Sequence, residues 1–250
     1  MIRAAACALA LLAVPGCSFL REYRSRVAAE EAFAQGAKAA QRNDLPAAER
    51  RFAQALRSEP NSASLRARIG LAYMQMQPPP TARALPFLSQ AIELDPRQPF
   101  PVYLQAVFAA VNLGREDQAR ELLAHARKAF HDDALALNDI GYTLVDADKL
   151  TPEALPLLKR AVELEPDSGI IIDSLGWAYY RLGELQPAAA ALEQAVKLTA
   201  DNAEIQYHLG VVYADLGRIE DARKQFRRAL KINPGFETAR AALRRLERAR

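Results

Sequence analysis

Few side chains in this 250-residue sequence have the types and spacing that catalysis or metal binding requires. The three histidines, His125, His131 and His208, are scattered along the chain, so we expect solvated or structural imidazoles. The carboxylate pairs Glu30-Glu31 and Asp132-Asp133 are adjacent residues, which do not face each other on a helix. The sequence contains no serine-hydrolase, phosphate-loop or zinc-protease motif. It therefore predicts a non-enzymatic protein with no metal and no cofactor, and the alternative is an enzyme whose site is unrecognised.

One cysteine does have a context that indicates chemistry, at the end of the stretch MIRAAACALALLAVPGC. The apolar run from Ala4 to Val14 is too short to cross a bilayer as a helix. The motif Val14-Pro15-Gly16-Cys17 resembles the lipobox of bacterial lipoproteins, in which a diacylglycerol is attached to the cysteine thiol and the chain is cleaved before it. This resemblance implies a signal peptide over residues 1–16 and lipidation of Cys17. Ser18 at the next position implies the outer membrane, with the body facing the periplasm; the alternative is an ordinary secretory signal with an incidental cysteine.

Composition limits the class of protein that follows this signal. Half of the residues are hydrophobic, many of them alanine, which suits closely packed helices better than a β-sandwich. The formal net charge of +3 is small, and basic and acidic residues alternate, so we expect no nucleic-acid binding. Both cysteines lie in the first seventeen residues, which excludes a disulfide scaffold and a thiol metal site. We expect a soluble body that contacts the membrane only through its lipid anchor.

The body of the sequence is repetitive. The stretch SLGWAYYRLGEL, which begins at residue 174, is followed 34 residues later by HLGVVYADLGRI. A period of 34 is that of a helix–turn–helix repeat. The last copy contains Leu209-Gly210-x-x-Tyr213, then Ala222-x-x-x-Phe226, then Pro234, and in these positions it resembles the tetratricopeptide repeat. The resemblance covers residues 29–236 and implies an all-α fold, an α-solenoid of six tetratricopeptide repeats in a right-handed superhelix. The six copies are 29–62, 63–99, 100–133, 134–168, 169–202 and 203–236.

Residue size at recurring positions supports this alignment. Where the first helix of a copy (helix A) crosses the second (helix B), a small side chain lets the two backbones approach. The sequence provides Gly36, Gly70, Gly141, Gly176 and Gly210, with Val107 in the third copy. Helix B carries an alanine and, four residues later, a large apolar side chain on the same face. These large residues are Phe52, Leu88, Leu123, Leu158, Leu192 and Phe226.

Two segments flank the repeats. Residues 17–28 are expected to form a lipidated N-terminal tether. Residues 237–250 read as a C-terminal capping helix, because a solenoid needs a polar cap over the apolar face of its last repeat.

The resemblance also implies a binding surface. In tetratricopeptide solenoids the concave groove is lined by helix A positions two, five, nine and twelve of each repeat. In this sequence those positions hold Leu71, Met74, Leu104, Phe108, Asn138, Tyr142, Asp173, Trp177, Tyr180 and Tyr207. Only Asn138 remains of the family's carboxylate clamp, so we expect an aromatic and apolar groove with Asp173 as a lone charge. Such a groove would bind an apolar or amphipathic segment of an envelope protein across copies three to six; the alternative is that the rings pack between adjacent A helices.

The architecture suggests two functions. A lipidated start, six repeats and a short cap resemble the lipoproteins that act as pilotins for type IV pilus secretins. This resemblance implies a lipoprotein that binds another envelope protein and aids assembly of a pilus or secretion complex. The alternative is an adaptor that docks a periplasmic protease or a peptidoglycan enzyme. Neither function involves a nucleic acid or a small-molecule substrate.

Overall fold

The computed structural model describes residues 15–248 of the chain, and its side chains from residue 19. Most of the expected signal peptide, and the last two residues of the expected cap, lie outside the described residues. Within the described part the structure has thirteen α-helices and no strand. The helices are α1 Pro15–Gln41, α2 Leu45–Ser58, α3 Ala63–Met74, α4 Thr81–Leu94, α5 Phe100–Asn112, α6 Glu116–Ala129, α7 Ala134–Asp146, α8 Thr151–Leu164, α9 Gly169–Arg181, α10 Leu185–Leu198, α11 Ala203–Asp215, α12 Ile219–Ile232 and α13 Glu237–Arg248. Each of the six copies holds one pair of helices, which confirms the all-helical repeat fold.

Helix α1 is longer than the repeat requires. It runs without a break from Pro15 to Gln41, so the segment expected as a tether, residues 17–28, is helical and continuous with helix A of the first copy. Among the described residues, none of the helices has the length and apolar character needed to cross a bilayer.

The described helices group into two compact units, and the boundary falls within α5, between Ala109 and Ala110. In the first unit α1 packs against α2 and α3 against α4. Phe52 of α2 is fully buried and lies between two other rings, with its centroid 5.8 Å from that of Phe33 and 5.2 Å from that of Tyr73. A Cβ atom on Gly36 would lie 2.6 Å from the Phe52 ring. The glycine is therefore needed where α1 crosses α2.

The same steric relation recurs in the second unit, where α7, α9 and α11 pack against α8, α10 and α12. A Cβ atom on Gly141 or Gly176 would lie 2.7 Å from the buried leucine of the paired helix, and one on Gly210 would lie 2.6 Å from the Phe226 ring. A contact under 3.0 Å is too short for carbon atoms, so the neighbour would have to move. The small residue on helix A thus faces the large residue on helix B, as the sequence pattern predicts.

The last helix, α13, covers the sixth copy. Ala239 is fully buried, and Leu243 and Leu246 pack against the cluster formed by α10, α11 and α12. Arg223 of α12 is also buried, with only 5% of its side chain exposed. Its Nη2 donates a hydrogen bond of 2.6 Å to the backbone carbonyl of Leu246, and its Nη1 donates to Glu220. The guanidinium therefore satisfies one of the free carbonyls at the C-terminal end of α13.

Candidate functional site

The ten residues expected to line a groove are divided between the two units. Four belong to the first unit, with Leu71 and Met74 on α3 and Leu104 and Phe108 on α5. Leu71, Met74 and Leu104 are half-buried, and Phe108 is 38% exposed. The first unit therefore presents only one of these four side chains as an exposed large apolar group.

The other six residues lie on three successive A helices of the second unit. Asn138 and Tyr142 are on α7, Asp173, Trp177 and Tyr180 on α9, and Tyr207 on α11. Three of the six line a cleft of about 450 Å³ between these helices. The residues that line this cleft, which we call the α7–α11 cleft, are Asn138, Asp139, Tyr142, Ile170, Asp173, Ser174, Asn202, Glu204 and Ile205.

The expectation that Asp173 is a lone charge is wrong. Its carboxylate oxygens lie 2.9 and 3.0 Å from Nδ1 of His208, and the two side chains are 9% and 5% exposed. Since a carboxylate can only accept, Nδ1 of the imidazole carries the proton and donates it. A buried charge needs such a partner, and this is the physical reason that Asp173 and His208 lie together. Both residues therefore tie α9 to α11.

Trp177 also packs between adjacent A helices. Its ring lies 4.1 Å from that of His208 at an angle of 16°, and 4.7 Å from that of Tyr180 at 24°. The half-buried indole therefore stacks across α9 and α11, and at this residue the structure follows the alternative stated above. Tyr207 makes similar inward contacts, with ring centroids 5.8 Å from Phe226 and 5.3 Å from Phe236.

Two tyrosines in this row act as hydrogen-bond donors. The Tyr142 hydroxyl donates to Oε1 of Glu204 over 3.4 Å, and the Tyr180 hydroxyl donates to Oδ2 of Asp215 over 2.9 Å. Burial, and secondarily the neighbouring carboxylates, raise the pKa of each phenol to about 12. Both phenols are therefore protonated at neutral pH. Because Tyr142 is in the fourth copy and Glu204 in the sixth, this bond connects α7 to α11 across the residues that line the α7–α11 cleft.

Asn138 gives the cleft an unpaired acceptor. The side chain is 6% exposed, and its Nδ2 donates to Asp139 over 3.3 Å. Its Oδ1 atom accepts no hydrogen bond from the described residues. A buried acceptor left unpaired costs about 1–3 kcal/mol, so a donor that reached this amide would be favoured.

The cleft is acidic, and it differs from the aromatic and apolar groove predicted over ten residues, of which only Asn138, Tyr142 and Asp173 line it. Asp139, Asp173 and Glu204 line it, and no lysine or arginine does. Asp173 is buried and accepts a hydrogen bond from His208, whereas Asp139 and Glu204 are exposed, so the accessible negative charge comes from these two carboxylates. Beside them, Ile170 is 58% exposed and provides an apolar contact. The sequence analysis missed Ile170 and Glu204, although they hold position two of the fifth and sixth copies. It also missed Asn202, which lies just before α11 as its N-cap and outside the four groove positions.

The remaining candidate groups take no part in this site. His125 and His131 are exposed, and His131 lies 2.7 Å from Asp132, its sequence neighbour. No group of three or more His, Cys, Asp or Glu side chains in the described range 15–248 is arranged to hold a metal ion.

The sequence and the fold both match known proteins. The family model described as "Tetratricopeptide repeat" matches residues 33–99 and 174–235, just over half of the chain. A curated relative, the TPR repeat-containing protein PA4667 of Pseudomonas aeruginosa, is 47% identical over 57 residues. That match covers 23% of this chain and only 10% of the relative.

Several solved structures share the fold at low sequence identity. YrrB, described as a TPR protein with an unusual peptide-binding site, is 24% identical, with a TM-score of 0.53 over 76% of this chain and 96% of its own. MamA from Desulfovibrio magneticus RS-1, from residue 41 to its end, is 21% identical, with a TM-score of 0.54 over 70% of this chain and 96% of its own. The thermophilic TPR protein TTC0263 of Thermus thermophilus is 22% identical, with a TM-score of 0.53 over 74% of this chain and 98% of its own.

Proposed function

Because the chain belongs to the tetratricopeptide-repeat family, whose fold serves as a scaffold for protein–protein interaction, we propose that it binds a segment of another protein in the α7–α11 cleft. The observation that carries this proposal is the cleft itself, in which two uncompensated carboxylates, a buried unpaired amide oxygen and an exposed isoleucine lie on three adjacent A helices. No catalytic group is part of the proposal. The peptide-binding site ascribed to YrrB supports a peptide as the type of ligand.

The chemistry of the cleft defines the segment that it fits. Glu204 and Asp139 accept hydrogen bonds and carry negative charge, so the segment should present a lysine or arginine side chain to them. Ile170 provides the contact for an apolar residue next to that base. The partner segment is therefore amphipathic, as the sequence suggested, but basic on its polar side.

The cellular setting remains that proposed from the sequence. Lipidation at Cys17 would hold the protein at the outer membrane with its repeats in the periplasm. There it would act in the manner of a pilotin, binding a secretin or another component of a pilus or secretion complex and aiding its assembly. An adaptor for a periplasmic protease or a peptidoglycan enzyme would use the same cleft, so the identity of the bound protein distinguishes the two functions.

The test is capture of the partner from crosslinked membranes, with a charge reversal in the cleft. Glu204→Lys should reduce capture by about tenfold or more, since losing a charged contact at an interface costs about 2 kcal/mol or more. The matched control is Glu165→Lys, which reverses an exposed carboxylate at the end of α8, outside the cleft. Equal capture by both variants would refute the cleft as the binding site.

The anchor has a separate test. Wild-type protein should sediment with membranes, because several acyl chains together hold a protein stably at a bilayer. Cys17→Ala should be released or left unprocessed. A secreted and correctly processed Cys17→Ala that stays on the membrane would contradict lipidation.

A further inference from the structure

The N-terminal part of α1 carries an apolar stripe that nothing in the described structure covers. Phe19, Leu20, Tyr23 and Val27 are 67%, 54%, 59% and 40% exposed. They are the four exposed large apolar side chains of this helix, and they lie within nine residues of one another. We call these four residues the N-terminal stripe.

The stripe occupies one side of the helix. At about 100° per residue, the four side chains fall within an arc of roughly 100°. The buried residues of α1, Ala29, Ala32, Gly36 and Ala40, project on the other side, toward α2 and α3. The stripe therefore faces away from the repeat core, and folding of the repeats leaves it free.

The charges beside the stripe are mainly positive. Residues 18–28 contain Arg21, Arg24 and Arg26 and a single acid, Glu22, which gives this segment a net charge of +2. Arg24 and Arg26 border the stripe on its two sides; Arg24 is exposed and Arg26 lies 3.7 Å from Glu59. Arg21 is also exposed but projects from the far side of the helix. A helix with aromatic and aliphatic residues on one face and arginines beside them is typical of segments that lie in a membrane interface.

We propose that residues 19–27 form a membrane-binding face that lies on an anionic phospholipid bilayer. The proposal rests on the lipid anchor proposed above, since Phe19 is two residues, or about 3 Å along the helix, from Cys17. The apolar side chains enter the boundary between headgroups and acyl chains, and Arg24, which borders the stripe, contacts a lipid phosphate and adds to the attraction for anionic lipid. The anchor would then hold α1 along the bilayer and not at the end of a free tether.

A second copy of the chain fits this face less well. Two stripes packed against each other would bring both sets of arginines together, with one acid per segment to compensate them. The stripe is also only about 13 Å long, for nine residues. A contact of that length buries less surface area than a stable dimer needs. Charge and size both favour a lipid surface.

A cysteine scan of the complete protein tests the proposal. Both native cysteines lie in the first seventeen residues, and on lipidation one is removed with the signal peptide and the other is blocked, so an introduced cysteine is the only free thiol. Tyr23→Cys lies in the stripe, and the control Ala28→Cys is exposed on another side of the helix. Each variant is purified from membranes and reconstituted into vesicles of phosphatidylethanolamine and phosphatidylglycerol. Its labelling by a membrane-impermeant maleimide is then compared with the rate in unfolded protein.

We expect Tyr23→Cys to be labelled about tenfold more slowly than Ala28→Cys, the factor that corresponds to a modest burial free energy. High salt or vesicles of phosphatidylcholine alone should weaken this protection, since both remove the attraction to the arginines. Equal labelling of the two variants in vesicles that retain the protein would overturn the membrane face and leave the anchor intact.

Two other results would also overturn it. An intact mass without lipid, in protein that does not float with vesicles, would refute the anchor and the membrane face together. Protection of Tyr23→Cys that needs no vesicles and increases with protein concentration would show that a second copy covers the stripe.

Discussion

The buried pair of Asp173 and His208 predicts that Asp173→Ala destabilises the second unit strongly. The variant removes the acceptor of the Nδ1 proton and leaves a polar imidazole buried between α9 and α11. The contact is 2.9 Å long, and both side chains are at least nine-tenths buried. Removing one partner of a buried pair costs about 3–5 kcal/mol, and an unpaired buried donor by itself costs about 1–3 kcal/mol. We expect a loss of about 3 kcal/mol, the value at which these two ranges meet.

The assay is urea unfolding followed by two signals. Circular dichroism reports all helices, whereas fluorescence reports one place, because Trp177 is the only tryptophan and its ring lies 4.1 Å from that of His208. In Asp173→Ala the fluorescence transition should move to lower urea than the transition by circular dichroism, since damage in a repeat array begins locally. The control Asp173→Asn keeps an acceptor and should cost clearly less.

A double-mutant cycle isolates the pair itself. If the two side chains act together, His208→Ala should cost much less in the Asp173→Ala background than in the wild type, with a coupling of about 1–3 kcal/mol. Additive losses, or an Asp173→Ala variant as stable as Asp173→Asn, would refute the assignment of this pair as a structural tie between copies five and six.

Three further predictions concern the same unit. Trp177→Ala should lower the free energy of unfolding by about 2 kcal/mol in thermal melts, roughly half the loss for a fully buried ring, because the indole is half-buried. An unchanged melting temperature would mean that the stacking of Trp177 contributes nothing to stability. Gly210→Ala places a Cβ atom 2.6 Å from the Phe226 ring. The destabilisation by overpacking, about 1–3 kcal/mol, should exceed the gain of about 1 kcal/mol in helix propensity, so a more stable variant would contradict this contact. Tyr142 and Tyr180 have a folded pKa of about 12 against 10.0 for an ordinary phenol. Their contribution to the free energy of unfolding is therefore complete below pH 10 and is lost as the pH rises toward 12. Tyrosinate absorbance and circular dichroism should therefore change together in that range. If the phenols of Tyr142 and Tyr180 themselves titrate near 10 in the folded protein, their raised pKa is refuted.

The repeat fold could be predicted from the sequence because its determinants are local and recur. A glycine on helix A and a large apolar residue on helix B of the same copy together meet one steric requirement. In the structure a Cβ atom added at Gly36, Gly141 or Gly210 would lie only 2.6–2.7 Å from that large residue. A rule that depends only on residue size and spacing can be read without coordinates.

The pair across copies could not be found in that way. Asp173 and His208 occupy neighbouring but different positions of consecutive copies, 35 residues apart, so comparing equivalent positions does not place them together. The groove positions of α9 hold no base that could pair with Asp173, because its partner lies on the next A helix. The sequence signal for such a pair is an acid on helix A with a basic residue 35 positions later, which is one repeat plus one residue.

The N-terminal segment shows a different limit. Residues 17–28 were expected only as a lipidated tether, yet residues 18–35 contain no glycine or proline and are rich in alanine, arginine and glutamate, all strong helix formers. With helix A of the first copy as a nucleus, extension of α1 toward the N-terminus meets no barrier. The helical structure of residues 17–28 therefore follows from their helix propensity.

The hydrogen bond between Arg223 and the carbonyl of Leu246 has a consequence for synthesis of the protein. Helix α12 emerges from the ribosome before α13. Until Leu246 has been added to the chain, the buried guanidinium of Arg223 on α12 lacks this acceptor. A chain released early, for instance after residue 243, would have to bury a cation without its carbonyl partner or leave the sixth copy open. Truncated chains should therefore fold poorly at their last repeat and be degraded by proteases, whereas the chain that includes α13 completes it.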